Sequence, residues 1–197
     1  MTPLPSMPAP DFTVDVLNPD YSFGSVSLKD YAGKYLVILF YPADFTFVCP
    51  SEIHKFNDNL ERFRAAGAEV LIGSTDGPFV HLAWTQTPRA EGGLGKMAVP
   101  LFADRNLKFS RDYGVLIEDA GLSLRGMFII SDKGILRHVT VNDFQVGRNV
   151  EEALRLVQGF KHADETGAGI PCDWTPGSDT IIQDPEGKKE FFLEHQK

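Results

Sequence analysis

The amino-acid sequence predicts an α/β protein with a central mixed β-sheet flanked by helices. Residues 35–40 (YLVILF) form a continuous apolar, β-rich run, which is typical of a strand buried on both faces of a sheet. Residues 69–74 (EVLIGS) form a second such run, and the chain between the two shows helical periodicity. A strand, a helix and a strand in this order give a right-handed crossover with a parallel pair of strands. A predicted hairpin further along the chain adds antiparallel strands and makes the sheet mixed.

The helix of this crossover is expected to begin near Pro50. Apolar residues recur after it at steps of three and four with charged residues between them, which predicts an amphipathic helix ending near Gly67. These apolar positions are Ile53, Phe56, Leu60 and Phe63. Beyond the second strand, the pattern predicts a short helix at 79–87, a glycine-rich loop at 92–95, a short strand at 99–102 and a short helix at 105–113.

The last predicted elements are a hairpin and a helix. Two apolar runs, 126–131 and 135–141, are separated by Asp-Lys-Gly, which is typical of a hairpin turn. Asn149, followed three residues later by Glu152, has the pattern of a capping box that opens a helix.

The bulk composition limits the classes of function. With 197 residues, of which 43% are hydrophobic and 23% charged, the chain fits one soluble domain with an appended arm. From about residue 164 the composition shifts to Gly, Pro, Asp and Thr. We therefore predict a domain over 1–163 and an extended C-terminal arm over 164–197 that packs on the domain or on another subunit. The formal charge of −8 argues against nucleic acids and anionic membranes as partners.

The sequence also carries an expectation about location. No run approaches the ~18 apolar residues of a membrane span. Residues 1–12 (MTPLPSMPAPDF) lack the basic and apolar segments of a secretory signal. Two cysteines are too few for a disulfide framework, so we expect a reducing, cytoplasmic environment in which any role of the cysteines depends on their reactivity.

Cys49 lies directly before Pro50, where a buried strand has ended and a helix is about to begin. Proline suits the first turn of a helix because its missing N–H group has no partner to lose there. A thiol in that turn lies near unpaired N–H groups and the positive end of the helix dipole, which favour the thiolate. A reactive nucleophile is one interpretation of Cys49. Core packing is the other, because cysteine is among the most often buried residue types.

Several nearby or distant side chains could complete a nucleophilic site. Thr46 could place its hydroxyl against the sulfur, although a threonine in a turn commonly bonds its own backbone. Pro42 ends the strand and could shield the sulfur from water. An arginine could supply positive charge, but spacing does not distinguish among the candidates, which are Arg89, Arg125, Arg137, Arg148 and Arg155.

Other site chemistries find less support. Cys49 and His54 are five residues apart, and the other histidines show no metal-ligand spacing, so no metal is predicted. The sequence contains no glycine-rich phosphate loop after a strand and no G-x-S-x-G nucleophile elbow. It also contains no C-x-x-C, which disfavours a disulfide oxidoreductase of that type.

Residues 40–52 (FYPADFTFVCPSE) resemble the active-site motif of the typical two-cysteine peroxiredoxins, the alkyl hydroperoxide reductase group. The similarity covers nearly the full length from about Pro8. It continues in order through 81–84 (HLAW), 87–89 (TPR), 92–95 (GGLG), 124–130 (LRGMFII), 146–149 (VGRN) and 174–180 (WTPGSDT). The resemblance implies a thioredoxin-like fold and a peroxidase that needs no metal, haem or other cofactor.

Carried over by position, the resemblance implies roles for the residues around Cys49. Cys49 would be the peroxidatic cysteine, whose thiolate attacks one peroxide oxygen and becomes a sulfenic acid. Thr46 would hydrogen-bond the sulfur and the peroxide, and Pro42 would exclude water. Arg125 would hold the thiolate and stabilise charge as the O–O bond breaks.

The resemblance also implies supporting residues and partners. Glu52 and Arg148 match the pair that orients Arg125, and Tyr41 is a further supporting residue. Cys172, from the arm of a partner subunit, would be the resolving cysteine that condenses with the sulfenic acid to an intersubunit disulfide. The implied partners are a peroxide substrate, a thioredoxin-like or flavoprotein disulfide reductase, and a second copy of the chain in a homodimer that could join a decameric ring.

The sequence departs from the family pattern at Cys172. The resolving cysteine usually stands four residues before the tryptophan of W-x-P-G-S-D, where this chain has Ile170, whereas Cys172 stands two residues before Trp174. In one interpretation the arm is shifted and Cys172 still acts as the resolving cysteine. In the other, Cys172 does not have this role and an external thiol forms the disulfide with Cys49. An alternative from a different class is a ring-forming holdase chaperone with a vestigial peroxidase site.

Overall fold

The computed structural model describes residues 3–195. These residues fall into two compact units, divided between Val150 and Glu151. The strands and helices of the first unit are β1 (Thr13–Leu17), β2 (Phe23–Ser27), β3 (Tyr35–Phe40), α1 (Cys49–Asp58), α2 (Leu60–Ala65), β4 (Ala68–Ser74), α3 (Pro78–Gln86), β5 (Leu101–Ala103), α4 (Lys108–Asp112), β6 (Leu116–Ile117), β7 (Leu122–Ser123), β8 (Arg125–Ile130) and β9 (Leu136–Asn142). Short 3₁₀ turns lie at Leu28–Tyr31 and Arg89–Glu91. The helices α5 (Val150–Thr166) and α6 (Gly187–Glu194) follow.

The first unit is built on a seven-stranded mixed sheet with the order β2-β1-β5-β4-β3-β8-β9. The central strands β3, β4 and β5 are parallel, and the outer strands pair antiparallel. Strands β6 and β7 form a separate two-stranded ribbon. The predicted α/β class with a central mixed sheet is confirmed.

Several aromatic rings of the core meet around Phe40, the last residue of β3. All six residues of β3 are buried, as are all six of β8, which explains the continuous apolar sequence of β3 and the apolar run 127–130 in β8. The Phe40 ring lies 5.0 Å from Phe102, 4.8 Å from Phe109 and 5.7 Å from Phe128, measured between centroids. Aromatic pairs at these distances stabilise a core beyond the area they bury. The chain therefore leaves the sheet after Phe40 from a rigid, closely packed position.

Three predicted elements of the first unit hold with small corrections. Strands β3 and β4 pair in parallel, and β8 and β9 form the antiparallel hairpin. The helix expected from Pro50 to the Gly67 region is two helices, α1 and α2, because the chain leaves helical geometry at Asn59, whose side chain binds the carbonyl of Lys55 at 2.8 Å.

Other predicted bounds are wrong by a few residues. The strand expected at 99–102 is Leu101–Ala103, since Pro100 has no N–H group to donate to a sheet. The helix expected at 105–113 covers only Lys108–Asp112, because Leu107 adopts φ 62° and Asp104 caps the helix from before it. The hairpins β1–β2 and β6–β7 were not predicted.

The C-terminal part contains more regular structure than its composition indicates. The helix expected after Asn149 runs through Thr166, three residues past the proposed boundary at 163. Gly169 and Ile181 form an isolated antiparallel bridge, and α6 covers eight residues that were expected to be extended. The division into a domain over 1–163 and an arm over 164–197 that packs on a partner stays a prediction.

No helix within residues 3–195 has the length and apolar character needed to cross a membrane.

Candidate active site

Cys49 is the first residue of α1 and is fully buried as a free thiol. The chain reaches it from β3 through the loop 41–48, and Pro50 occupies the first turn as predicted. No side chain caps this helix; Val48 precedes it with helical backbone angles. The sulfur therefore lies at the positive end of the helix dipole.

Arg125 provides the positive charge next to Cys49. Its Nη1 lies 3.4 Å from Sγ of Cys49 and 2.6 Å from Oε2 of Glu52, and its Nε donates to the carbonyl of Phe144 at 2.7 Å. Strand β8 runs antiparallel to β3 with Met127 opposite Leu39, so its first residue lies beside the chain leaving β3. The guanidinium is thus fixed at three points and directs one N–H group at the sulfur.

Glu52 and Arg148 hold Arg125 in this position. Glu52 follows Cys49 by three residues on α1 and faces the same side. Its Oε1 accepts from the backbone N and the Nε of Arg148 at 2.6 and 2.7 Å, and its Oε2 accepts from Nη2 of Arg148 at 3.0 Å. The Nη1 of Arg148 donates to the carbonyls of Phe40 and Gly126, both at 2.6 Å. This arrangement satisfies nearly every hydrogen-bond donor and acceptor of the Glu52 and Arg148 side chains.

The ionic cluster of Glu52, Arg125 and Arg148 is almost dry. Its side chains are at most 4% exposed. Burial lowers the pKa of Arg148 from its ordinary value, and the charge of Glu52 offsets only part of this effect. Two guanidinium groups and one carboxylate leave one positive charge in excess, which a thiolate at Cys49 would neutralise. The cluster is therefore complementary to the reactive form of the cysteine.

Thr46 and Pro42 lie in the loop between β3 and α1. The hydroxyl of Thr46 donates to the carbonyl of Ala43 at 2.8 Å, which is the turn interaction considered for it from the sequence. Because that bond uses the only hydroxyl proton, the oxygen remains able to accept a hydrogen bond from a protonated ligand. Pro42 is buried, as expected for a residue that shields the site. Their roles toward peroxide stay predictions.

A buried network on the same loop was not predicted. His81 is fully buried, with Nδ1 2.7 Å from Oδ2 of Asp44 and Nε2 2.9 Å from the carbonyl of Phe102. Both ring nitrogens face acceptors, an arrangement that matches the protonated imidazolium, in which both nitrogens are donors. Burial lowers the pKa of His81 most strongly, but the hydrogen bond and charge of Asp44 outweigh it, and the net shift is upward.

Tyr41 joins this network and supports the loop. Its hydroxyl donates to Oδ1 of Asp44 at 2.7 Å, and burial, followed by the charge of Asp44, raises its pKa well above 10. The backbone N–H of Asp44 in turn donates to Asp76 at 2.8 Å. Asp44 thus ties this loop to Asp76, between β4 and α3, and to His81 of α3. Spacing could not have found the pair of Asp44 and His81, because 37 residues separate them; the one signal was that both lie within the family-like motifs.

The glycine-rich loop at 92–95 holds the middle and the end of α1. His54 Nε2 lies 3.1 Å from the carbonyl of Gly93, and Arg89 binds both carboxylate oxygens of Asp58 at 2.7 and 2.9 Å. A Cβ on Gly93 would lie 2.0 Å from the carbonyl of Thr87, so only glycine fits. Of the candidate arginines, Arg89 lies at this loop, whereas Arg125 and Arg148 belong to the ionic cluster beside Cys49.

Cys172 lies in the second unit. It is a free, exposed cysteine two residues before Trp174, which is buried. Its role as the resolving cysteine stays a prediction.

One group of potential metal ligands occurs among residues 3–195. Ligand atoms of Asp179, Glu194 and His195 lie within 4.8 Å of one another, and all three side chains are exposed. His195 Nε2 already lies 3.4 Å from Asp179, so a surface ion pair accounts for the arrangement. Sixteen residues separate Asp179 from His195, which is not a spacing that predicts a metal site.

Comparisons with known proteins identify the family of the chain. The AhpC/TSA family profile matches residues 5–139, and the C-terminal domain of 1-Cys peroxiredoxin matches 159–193. A peroxiredoxin of Cynops pyrrhogaster is 55% identical over 185 residues, covering 94% of this chain and 92% of the relative. Peroxiredoxin-2 of Rattus norvegicus is 54% identical over 188 residues, covering 95% and 94%.

Solved structures give the same result for the fold. The reduced 2-Cys peroxiredoxin of Plasmodium vivax superposes with a TM-score of 0.94 at 37% identity, covering 97% of this chain and all of that one. AhpC of Enterococcus faecalis superposes with a TM-score of 0.79 at 33% identity, covering 87% and 99%. The fold is thioredoxin-like, and the protein is a thiol-dependent peroxidase. The chain belongs to the AhpC/TSA family, the peroxiredoxins. The comparisons do not favour the chaperone alternative.

Proposed function

We propose that Cys49 reduces hydrogen peroxide and small alkyl hydroperoxides through a sulfenic acid, which Cys172 of a second subunit converts to an intersubunit disulfide. The observation that carries the proposal is the contact of the buried Cys49 sulfur with Arg125, at 3.4 Å, within an ionic cluster that has one positive charge in excess.

In the first step the Cys49 thiolate attacks the nearer peroxide oxygen. A sulfur–oxygen bond forms, the O–O bond breaks, and the departing oxygen takes up a proton to leave as water or alcohol. Negative charge moves from sulfur toward the two oxygens, and Arg125 is fixed where it can stabilise that charge without rearrangement. Thr46 accepts a hydrogen bond from the peroxide O–H group, because its own proton is held by Ala43.

In the second step Cys49 must leave its buried position to meet another sulfur. Cys172 is exposed and two residues before a buried tryptophan, which supports its assignment as that sulfur. A thioredoxin-like or flavoprotein disulfide reductase then reduces the disulfide by thiol exchange. We place the reaction in the cytoplasm, since a reducing compartment keeps both thiols free.

Two surfaces support self-association into a homodimer and a decameric ring. Strand β9 is an edge of the main sheet, and an edge strand offers unpaired backbone groups to a second copy. Phe23 and Phe79 form an exposed aromatic pair with centroids 5.0 Å apart, and their exposed fractions are 48% and 73%. Exposed apolar clusters of this kind commonly mark interaction surfaces.

Peroxide-dependent NADPH consumption in a coupled thioredoxin system tests the enzyme activity. The wild type should consume NADPH and Cys49→Ser should not, because serine forms no sulfenic acid. Equal rates in the two proteins would refute the assignment of Cys49.

Non-reducing electrophoresis after one equivalent of peroxide tests the role of Cys172. The wild type should form a covalent dimer, and both Cys49→Ser and Cys172→Ser should remain monomeric on the gel. If Cys172→Ser formed the same dimer, or the wild type formed none, Cys172 would lose the resolving role. Analytical ultracentrifugation of the reduced wild type and of Phe79→Asp would report on ring assembly.

A further inference from the structure

Asp76 lies close to the loop that precedes Cys49 because β3 and β4 run in parallel. Phe40, the last residue of β3, is opposite Gly73 of β4, so the chain leaves both strands at the same edge of the sheet. Asp76 follows the end of β4 by two residues and is half-buried. Its Oδ2 accepts from the hydroxyl of Ser74 at 3.0 Å, and that hydroxyl accepts from the backbone N–H of Asp76 at 3.0 Å. The carboxylate of Asp76 is therefore held in one orientation.

The peptide that joins Ala43 to Asp44, peptide 43–44, connects this carboxylate to Thr46. The backbone N–H of Asp44 donates to Oδ2 of Asp76 at 2.8 Å. The carbonyl of Ala43 accepts from the hydroxyl of Thr46 at 2.8 Å. Both groups belong to one trans peptide, whose N–H and C=O bonds lie in one plane and point in opposite directions. The bond from the N–H to Asp76 thus fixes the direction of the carbonyl that binds the Thr46 proton.

The turn between peptide 43–44 and Thr46 is strained and needs support from its surroundings. Phe45 has φ 55°, in the left-handed region that a bulky residue rarely adopts. Such a conformation persists only where neighbouring contacts hold it. His81 and the Tyr41 hydroxyl each lie 2.7 Å from a carboxylate oxygen of Asp44, so they hold its side chain. Asp76 binds the backbone of the turn, and it therefore orients the peptide itself.

We propose that Asp76 is a positioning residue for the peroxide step, which orients peptide 43–44 so that Thr46 presents an oxygen lone pair to the peroxide. The proposal rests on the proposed function, since it concerns the hydrogen bond that Thr46 accepts from the peroxide O–H group. While its proton is bound to the carbonyl of Ala43, the hydroxyl of Thr46 is an acceptor toward any further group. If the carbonyl turned away, the hydroxyl would rotate freely, and its lone pair would face the peroxide only part of the time.

Stopped-flow measurement of the reaction with limiting hydrogen peroxide tests the proposal. In Asp76→Ala the backbone N–H of Asp44 loses its acceptor, and the rate constant should fall about three- to tenfold, the effect of one ordinary hydrogen bond. Asp76→Asn should restore most of the rate, because an amide oxygen accepts from an N–H group although it carries no charge. If Asp76→Asn were as slow as Asp76→Ala, the effect would come from the charge of Asp76, and the proposal would be refuted.

Asp30→Ala is the matched control. Oδ2 of Asp30 accepts from the backbone N–H and from the hydroxyl of Ser27, both at 2.7 Å, so this carboxylate has the same kinds of donor as that of Asp76. Asp30 precedes β3, whereas Cys49 follows it, and the variant should react with peroxide at the wild-type rate. An equal loss of rate in Asp30→Ala and Asp76→Ala would show a general effect on the fold and overturn the proposal. Circular dichroism verifies that each variant is folded.

Two further measurements distinguish positioning of Thr46 from a merely structural role. Thr46→Val has no hydroxyl to orient, so adding Asp76→Ala should slow the reaction with peroxide no further. A further loss as large as that in the wild-type background would mean that Asp76 does not act through Thr46. Iodoacetamide has no peroxide O–H group, so alkylation of Cys49 in a Cys172→Ser background should keep its rate when Asp76→Ala is added. An alkylation rate that fell as much as the peroxide rate would locate the effect at the thiolate and refute the proposal.

The same rates separate this proposal from the proposed function. If Thr46→Val reacted with peroxide as fast as the wild type, the proposed role of Thr46 would fail, and the role of Asp76 would fail with it. If Thr46→Val were slow but Asp76→Ala matched the wild type, the proposed function would stand and only the role of Asp76 would fail.

Discussion

Arg125→Gln is the substitution whose effect the structure defines most closely. The arginine contributes one N–H group to the Cys49 sulfur at 3.4 Å, one to Glu52 at 2.6 Å and one to the carbonyl of Phe144 at 2.7 Å. Glutamine is shorter and neutral, so it cannot keep these contacts or the charge. The rate of the reaction with peroxide and the stability of the fold should both fall.

The kinetic loss follows from the contact with the sulfur. A hydrogen bond to a charged group contributes about 1.5–3 kcal/mol, so the rate constant for peroxide should fall about 10- to 150-fold near neutral pH. Breaking a buried ion pair completely costs about 3–5 kcal/mol of stability. The loss in Arg125→Gln should be smaller. Glu52 keeps its three bonds to Arg148, so we expect about 2–3 kcal/mol.

Stopped-flow fluorescence with limiting peroxide measures the rate, and urea unfolding of the reduced protein measures the stability. Arg111→Gln is the matched control, since Arg111 binds Glu118 at 2.7 and 2.9 Å but both side chains are exposed. It should cost no more than about 1 kcal/mol and leave the rate unchanged. A rate in Arg125→Gln within about threefold of wild type would refute the argument that this contact stabilises the reacting charge.

The remaining predictions concern the loop, the buried imidazolium and the sheet. Thr46→Val should slow the peroxide reaction at least about tenfold and Thr46→Ser should restore it, because a hydroxyl is needed to accept the peroxide hydrogen bond; equal stopped-flow rates in the two variants would contradict this role. Burial lowers the folded-state pKa of His81, but Asp44 outweighs burial and raises this pKa above 6.5. Protonation of His81 therefore stabilises the fold fully below pH 6.5, the ordinary pKa of histidine. This contribution to stability is lost as the pH rises through the folded-state pKa. Urea unfolding should therefore show the stability gap between wild type and His81→Gln narrowing from about pH 6 to about pH 9, and a widening gap would be the wrong sign. Gly73→Ala should reduce stability by more than about 3 kcal/mol or prevent folding, because its Cβ would lie 2.1 Å from the carbonyl of Phe102, whereas Ser25→Ala on the exposed strand β2 should change the urea midpoint little.

The elements that the sequence predicted correctly are those whose hydrophobic or helix-start pattern lies within their own residues. Strand β3 is apolar at every position because both its faces are covered, and α1 opens with proline at its first turn. The hairpin β1–β2 was missed because β2 is mostly exposed and shows no apolar alternation. Helix α6 was missed because its segment, 187–194, is rich in lysine and glutamate around a single pair of phenylalanines. The formation of α6 depends on contacts that cannot be read from the composition of its segment.

The candidate site divides in the same way. The motif around Cys49 predicted that the cysteine, Thr46 and Pro42 share one site, since these residues are neighbours along the chain. The choice of Arg125 among five arginines came from resemblance and not from spacing, and the structure shows its physical basis in the antiparallel pairing of β8 with β3. The pair of Asp44 and His81 had no signal beyond the family-like motifs that contain each residue, because neither residue is unusual until the other is beside it.

Local sequence patterns predict an α/β fold with a cysteine at the start of a helix, because strand burial, helix periodicity and the preference of proline for a first turn are properties of neighbouring residues. The distant groups that surround this cysteine are known only from the folded chain. Arg125 and Arg148 reach Glu52 from 73 and 96 residues away because sheet pairing brings the ends of β3, β8 and β9 together. Charges separated by that much chain interact only after the sheet has formed, and only then does their excess of one positive charge lie beside the buried sulfur of Cys49.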